Sequence, residues 1–170
     1  MKRLALAAAL PLLAAARPAS GAEVEEQVAR IRAEVEAIHR EAGTFETRTV
    51  EVEDVALEGA EATCHSSGER LRKVTARLWG ETWKASLELF YVEGDLVFAF
   101  RRTSRYDGQI GLETPPTVAA VEERRSYFSG GSLIRLLVGR EAVAPGSEAF
   151  VEDERETKAL GATFRKACGE

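Results

Sequence analysis

LRKVTARLWGETWKASLELFYVEGDLVFAFRRTSRY, residues 71–106, is the stretch that decides the fold. Apolar and polar side chains alternate through it, and β-branched and aromatic residues are frequent. Two turn signals, Gly80-Glu81 and Glu93-Gly94, divide it. A period of two is the signature of half-buried strands, and strands joined by two-residue turns form antiparallel hairpins. The reading predicts a meander with strands over 70–79, 83–92 and 95–105.

Turn arithmetic predicts the pairing. A two-residue turn at 93–94 sets Leu89 opposite Phe98 and Leu87 opposite Phe100. A two-residue turn at 80–81 sets Leu78 opposite Trp83, Ala76 opposite Ala85 and Val74 opposite Leu87, with Lys73 opposite Glu88. One face should then hold Val74, Ala76, Leu78, Trp83, Ala85, Leu87, Leu89, Tyr91, Leu96, Phe98 and Phe100. The other should hold Thr75, Arg77, Lys84, Ser86, Glu88, Ala99, Arg101 and Thr103 and stay wet. A slip of one residue would move every side chain of a strand across the sheet, so the pattern specifies a register.

Working outward, Thr44–Val52 is rich in Thr and Val and reads as a first strand. Residues 60–66 add a neighbour through the turn near Ser67-Gly68. A three-residue loop there puts Ala62 and Cys64 on the dry face and His65 on the wet one, and a two-residue loop reverses this. Residues 106–116, with Gly108, Gly111 and paired prolines, read as a long loop. Residues 117–128 and 132–139 form a last hairpin around Gly130-Gly131, with Tyr127 opposite Ile134. Val24, Val28, Ile31, Val35 and Ile38 make one stripe on a helix over 23–42 that Gly43 ends. A second helix, 147–168, starts at the N-cap Ser147 and aligns Phe150, Thr157, Leu160, Phe164 and Cys168. The expected class is α+β: an antiparallel meander of about six strands, one face covered by both terminal helices.

The chain has 170 residues, 45% hydrophobic and 30% charged, which suits one globular domain with a sizeable core. Acidic residues outnumber basic ones, 28 to 23. That balance argues against a nucleic-acid partner, whose recognition needs a basic footprint.

Residues 1–22 read as a signal peptide. Lys2 and Arg3 precede an apolar run from Leu4 to Ala16, and Ser20-Gly21-Ala22 supplies small residues for cleavage. The run is short of the roughly 20 residues a membrane span needs, and no second long apolar run follows. Residues 23–170 are therefore expected to be one exported domain, in the periplasm or outside the cell, with no membrane span. Losing Lys2, Arg3 and Arg17 takes the formal charge from −5 to −8. Cys64 and Cys168 are the only cysteines, and export favours a disulfide between them. The chain has no Asn, so it has no N-glycosylation acceptor.

Chemistry is sparse. Neither His39 nor His65 has partners at metal-ligand spacing, and no nucleophile elbow, P-loop or dinucleotide glycine pattern occurs. No catalytic residue, metal or cofactor is expected. Glu152-Asp153-Glu154 reads as a solvated helix face. The uneven feature is arginine: residues 98–140 carry seven against four acids. Arg101, Arg105, Tyr106, Arg124 and Arg125 are the candidate binding residues, suited to a carboxylate, a phosphate or an acidic protein surface. The competing expectation is that these arginines pair with Glu88, Glu122 and the helices.

The runs FYVEGDLVFAF, RYDG and RRSYFSGGSLIRLL resemble small exported bacterial proteins of unknown function, over roughly residues 83–137. The resemblance implies export and an antiparallel sheet, and transfers no catalytic residue.

The resulting expectation is a non-catalytic exported protein that binds a protein or a small anionic partner through the open sheet face and the 106–116 loop. Two alternatives stand beside it. One is an apolar-ligand carrier with Trp83, Tyr91, Phe98 and Phe100 lining a pocket. The other is a hydrolase using scattered carboxylates.

Overall fold

The computed structural model describes residues 20–53 and 55–169. Helix α1, Gly21–Glu41, runs through a 3-10 turn at Ala42–Thr44 into eight strands: β1 Glu46–Val52, β2 Ala60–Ser67, β3 Arg70–Gly80, β4 Trp83–Val92, β5 Asp95–Tyr106, β6 Val118–Ser129, β7 Ser132–Val138 and β8 Glu141–Ala142. Helix α2, Glu148–Ala167, closes the chain. The strands lie side by side in chain order, every neighbouring pair antiparallel. The α+β class and the meander hold, with eight strands rather than six. The strand read over Thr44–Val52 is β1, paired in full with β2, and the strand that no expected segment covers is the two-residue β8 folding back on β7.

The segment read as a signal peptide, 1–22, lies outside the described residues as far as residue 19. Of its last three residues, Ser20 is the N-cap of α1, and Gly21 and Ala22 begin its first turn. Ser20 and Glu23 form a reciprocal capping box, each side chain reaching the other's backbone N–H.

Register and faces differ from expectation in an instructive way. The 93–94 turn is where the sequence puts it: Val92 pairs with Asp95, and Glu93 and Gly94 both adopt positive φ, as a tight twisted hairpin requires. One step further Tyr91 pairs with Leu96 but Phe90 with Phe98, so Val97 is an extra residue in β5, a β-bulge. From there on Leu89 faces Ala99 and Leu87 faces Arg101. Phe98 and Phe100 consequently leave the face of Leu87 and Leu89, while Ala99, Arg101 and Thr103 join it. The β3–β4 turn is Glu81-Thr82, so Leu78 pairs with Ala85 and Val74 with Leu89. That slip is of two residues and leaves the faces unchanged. Lys73 lies opposite Phe90 and still reaches Glu88 diagonally, at 3.4 Å. A bulge at Ile134 likewise sets Tyr127 opposite Arg135 rather than Ile134. At β2–β3 a two-residue turn is offset by an extra residue, Arg72, so Ala62 and Cys64 take the dry face.

The helices therefore lie on opposite faces, correcting the expectation that both cover one. Val28, Ile31 and Ile38 of α1 bury against Tyr127, Phe90 and partly buried Phe98. Phe164 and Leu160 of α2 join Cys64, Val74, Leu87, Leu89 and Tyr91 on the other side. Phe150 adds Phe128, Leu133 and Leu136. The Tyr91 hydroxyl donates to the Gly161 carbonyl at 3.0 Å. Gly161 lets α2 come this close, since a Cβ there would sit 3.1 Å from Leu96. Cys64 and Cys168 form the disulfide, with Cα atoms 5.8 Å apart, 104 residues apart in sequence. Closing a loop of that size removes about 4–5 kcal/mol of unfolded-state entropy in the chain-entropy model.

Candidate functional site

Strands β5 and β6 each have 12 residues. Their far ends, with β4, leave an open cleft of about 540 Å³ beside α2. The register sets its floor out as a grid. Trp83 and Ala85 of β4 lie beside Arg105 and Thr103 of β5, and Thr103 and Arg101 lie beside Glu122 and Arg124 of β6. Leu78 and Val55 extend the apolar side, and Glu152, Glu156, Ala159, Leu160 and Thr163 of α2 form the wall. Trp83 folds its indole back over Gly80, where any Cβ would collide with the ring.

Most of the charge in the cleft is neutralised internally. The Arg124 guanidinium donates to Glu122 at 2.7 Å and to Asp153 at 3.3 Å. Asp153 is 1% exposed and also accepts from the Ser126 hydroxyl at 2.6 Å. Arg101 reaches Glu156 at 3.5 Å. The hydrogen bond from Arg124 holds the Glu122 carboxyl below its usual range, aided by the charges of Arg124, Arg101 and Arg105. Burial pulls Arg124 down, but Glu122 and Asp153 outweigh it and raise its pKa overall. Arg105 is exposed and makes no ion pair among the described residues.

The structure thus brings Arg101, Arg105 and Arg124 together and leaves two candidates out. Arg125 is on the α1 face, 5.0 Å over the Phe100 ring and bonded to Glu123 at 2.9 Å. Tyr106 ends β5 half-buried, its N–H donating to Thr82 at the β3–β4 turn. The expected pairing of arginines holds for Glu122 and, on α2, for Asp153 and Glu156; Glu88 pairs with Lys73 instead, and Glu123, which was not expected, takes Arg102 and Arg125. Of the aromatic pocket residues, only Trp83 lines this cleft; Phe98 lies under α1.

Sequence reasoning missed Asp153, placed on a solvated face. Its spacing from Phe150 and Thr157 put it in the buried stripe of α2, and that phase was the available signal. The expected wet face is open over β2–β4, where Thr63, Thr75, Arg77 and Ser86 lie. His65 there contacts Thr75 at 3.2 Å, and burial, then Lys73, pulls its pKa below the usual value. His39 stacks edge-on to Phe90 at 5.1 Å. Both histidines are on the α1 side, so no imidazole reaches the cleft. Among the described residues no group of three His, Cys, Asp or Glu side chains could hold a metal ion, and no helix is long and apolar enough to cross a membrane.

No protein-family model matches the chain, and neither a curated protein nor a solved structure matches it.

Proposed function

We propose that this is an exported, non-catalytic binding protein that takes a small anionic partner in the cleft beside α2. The observation that carries the reading is Arg105. In a chain with excess acid it stands at the rim of the cleft, beside Trp83, without an ion-pair partner among the described residues. The neighbouring arginines are held in place by Glu122, Asp153 and Glu156, which makes a preorganised floor rather than a mobile one. The Cys64–Cys168 bridge fits an oxidising compartment, and the 1–22 segment is the export signal in this reading.

A carboxylate hydrolase is disfavoured by the same pairs. A general acid needs a carboxyl raised towards neutral pH, and Glu122 is shifted the other way.

Thermal denaturation against a panel of small organic anions tests the proposal. A raised melting temperature in the wild type, absent in Arg105→Glu, is expected. Arg105 is exposed, so the variant should match the wild type without ligand to within about 0.5 kcal/mol. No shift with any anion, or an equal shift in both proteins, overturns the assignment. Sequencing the N-terminus of the protein recovered from the cell envelope tests export: Glu23 is the expected first residue.

A further inference from the structure

We infer that this chain pairs with a second copy of itself along the outer edge of β6, Val118 of each copy lying opposite Val121 of the other. The pairing goes beyond the anion reading and does not depend on it.

The edge follows from the register. β6 pairs with β5 from Val118 to Tyr127, but with β7 only from Arg124 onward. Among the described residues no strand lies against the outer side of Val118–Glu123. The Gly139 N–H, donating to the Glu123 carbonyl at 2.8 Å, marks where the cover ends. Successive residues of a strand direct their backbone groups to alternate sides. The Glu123 carbonyl points outward to Gly139, so Val121 points outward too. Thr117 is bonded inward: its N–H donates to the Asp107 carboxylate and its C=O accepts from the Asp107 N–H, so Val118 points outward as well. Each valine offers an N–H and a C=O on the open side, a template that another strand completes.

The side chains suit the same use. Val118 and Val121 are 53% and 47% exposed. The extra residue at Ala119 keeps both on one face, since they pair with Tyr106 and Ser104, which alternate with Arg105 on β5. Ala119 and Ala120 between them are exposed too. The other edges of the sheet are guarded by charge or brevity: β1 carries Glu46, Arg48 and Glu51, and β8 has only Glu141 and Ala142. The β6 edge carries no charge from Thr114 to Val121.

A second copy is the occupant this edge selects. Glu122 and Glu123 are paired within their own strand, to Arg124 at 2.7 Å and Arg125 at 2.9 Å, so the flank of the edge is neutral although the chain is acidic. Antiparallel self-pairing about a two-fold axis between Ala119 and Ala120 sets valine on valine and places Glu122 beside the uncharged Thr117. A foreign peptide is chosen through pockets for its alternate side chains, which the methyl groups of Ala119 and Ala120 cannot build. Arg105 lies one strand in from the edge, so the anion cleft stays open in the pair.

Sedimentation equilibrium of the full chain, with amide exchange followed by NMR over the same concentrations, tests this. A monomer–dimer equilibrium is expected, weak because the shared edge is short, with a dissociation constant of about 10 µM to 1 mM. The Val118 and Val121 amides should exchange at least about tenfold more slowly in the dimer than in dilute protein. Val121→Lys should weaken association at least about tenfold. Because Val121 is exposed, the variant should melt within about 2 °C of the wild type in dilute solution. A wild type that stays monomeric at about 1 mM overturns the pairing. So does a dimer that Val121→Lys leaves intact, or one whose Val118 and Val121 amides exchange freely. Equal protection of those amides by a 114–123 peptide and by an unrelated valine-rich peptide would assign the edge to foreign strands and overturn it as well.

Discussion

The two faces of this sheet are built from the same alternation and end up as different materials. Under α1 lies an aromatic layer, Phe90, Phe98 and Tyr127, with ring centroids 5.7 and 4.8 Å apart. It meets Val28, Ile31 and Ile38, and it carries one buried cation, Lys73, 5.0 Å over the Phe90 ring and paired with Glu88, with Arg135 and Glu25 at its edge. Under α2 the layer changes along its length. Near β2–β4 it is apolar and tied by the disulfide. Over β5–β6 it holds three arginines, a buried aspartate and the cleft. One extra residue, Val97, separates the two outcomes, since it sends Phe98 to one face and Arg101 to the other. A bulge can thus choose which face becomes a core and which a binding surface.

Deleting Val97 should break that comparison most severely. Phe98 and Phe100 would turn towards α2 and Arg101 towards α1, burying unpaired charge. The loss should approach the whole stability of a domain of this size, about 5–15 kcal/mol, and circular dichroism should show no cooperative melt. Phe164→Ala strikes the apolar half of the α2 face and should cost about 3–5 kcal/mol in urea denaturation. Reducing the Cys64–Cys168 bridge should cost about 2–4 kcal/mol, visible as a lower melting temperature that a Cys64→Ala/Cys168→Ala variant reproduces without reductant.

On the charged half, Asp153→Ala leaves Arg124 and Ser126 without a buried acceptor and should cost about 1–3 kcal/mol. Glu156→Ala, at the more exposed Arg101 pair, should cost about 1 kcal/mol at most. Equal costs would mean the network is no better buried than its rim.

The smallest effect is expected from His65 on the α1 face. Its folded pKa is lowered, so the unfolded chain takes up the proton first as pH falls. Stability should therefore decline from about pH 7 to about pH 5 through this residue, and His65→Gln should remove that part of the decline. Melting curves at the two pH values check it.

Much of this was legible in the chain. The stripe Val28, Ile31, Ile38 has helical spacing that only one face can satisfy, and Ser147 is an N-cap in the structure as its position predicts. Glu93-Gly94 is a turn because glycine tolerates the positive φ a tight hairpin demands. The arginine excess pointed to the strands that line the cleft. The bulges were not legible. A bulge at Val97 leaves the turn, the composition and the alternation of each flanking segment intact, and changes only their relative phase.

The sequence by itself determined the strand order, the two helices and the cysteine pair, because local periodicity and turn chemistry act within a few residues. Tertiary structure alone decided which face each helix covers and which arginine and serine Asp153 meets. Those outcomes depend on phase accumulated across bulges, and on acids and arginines far apart in sequence meeting where water is excluded.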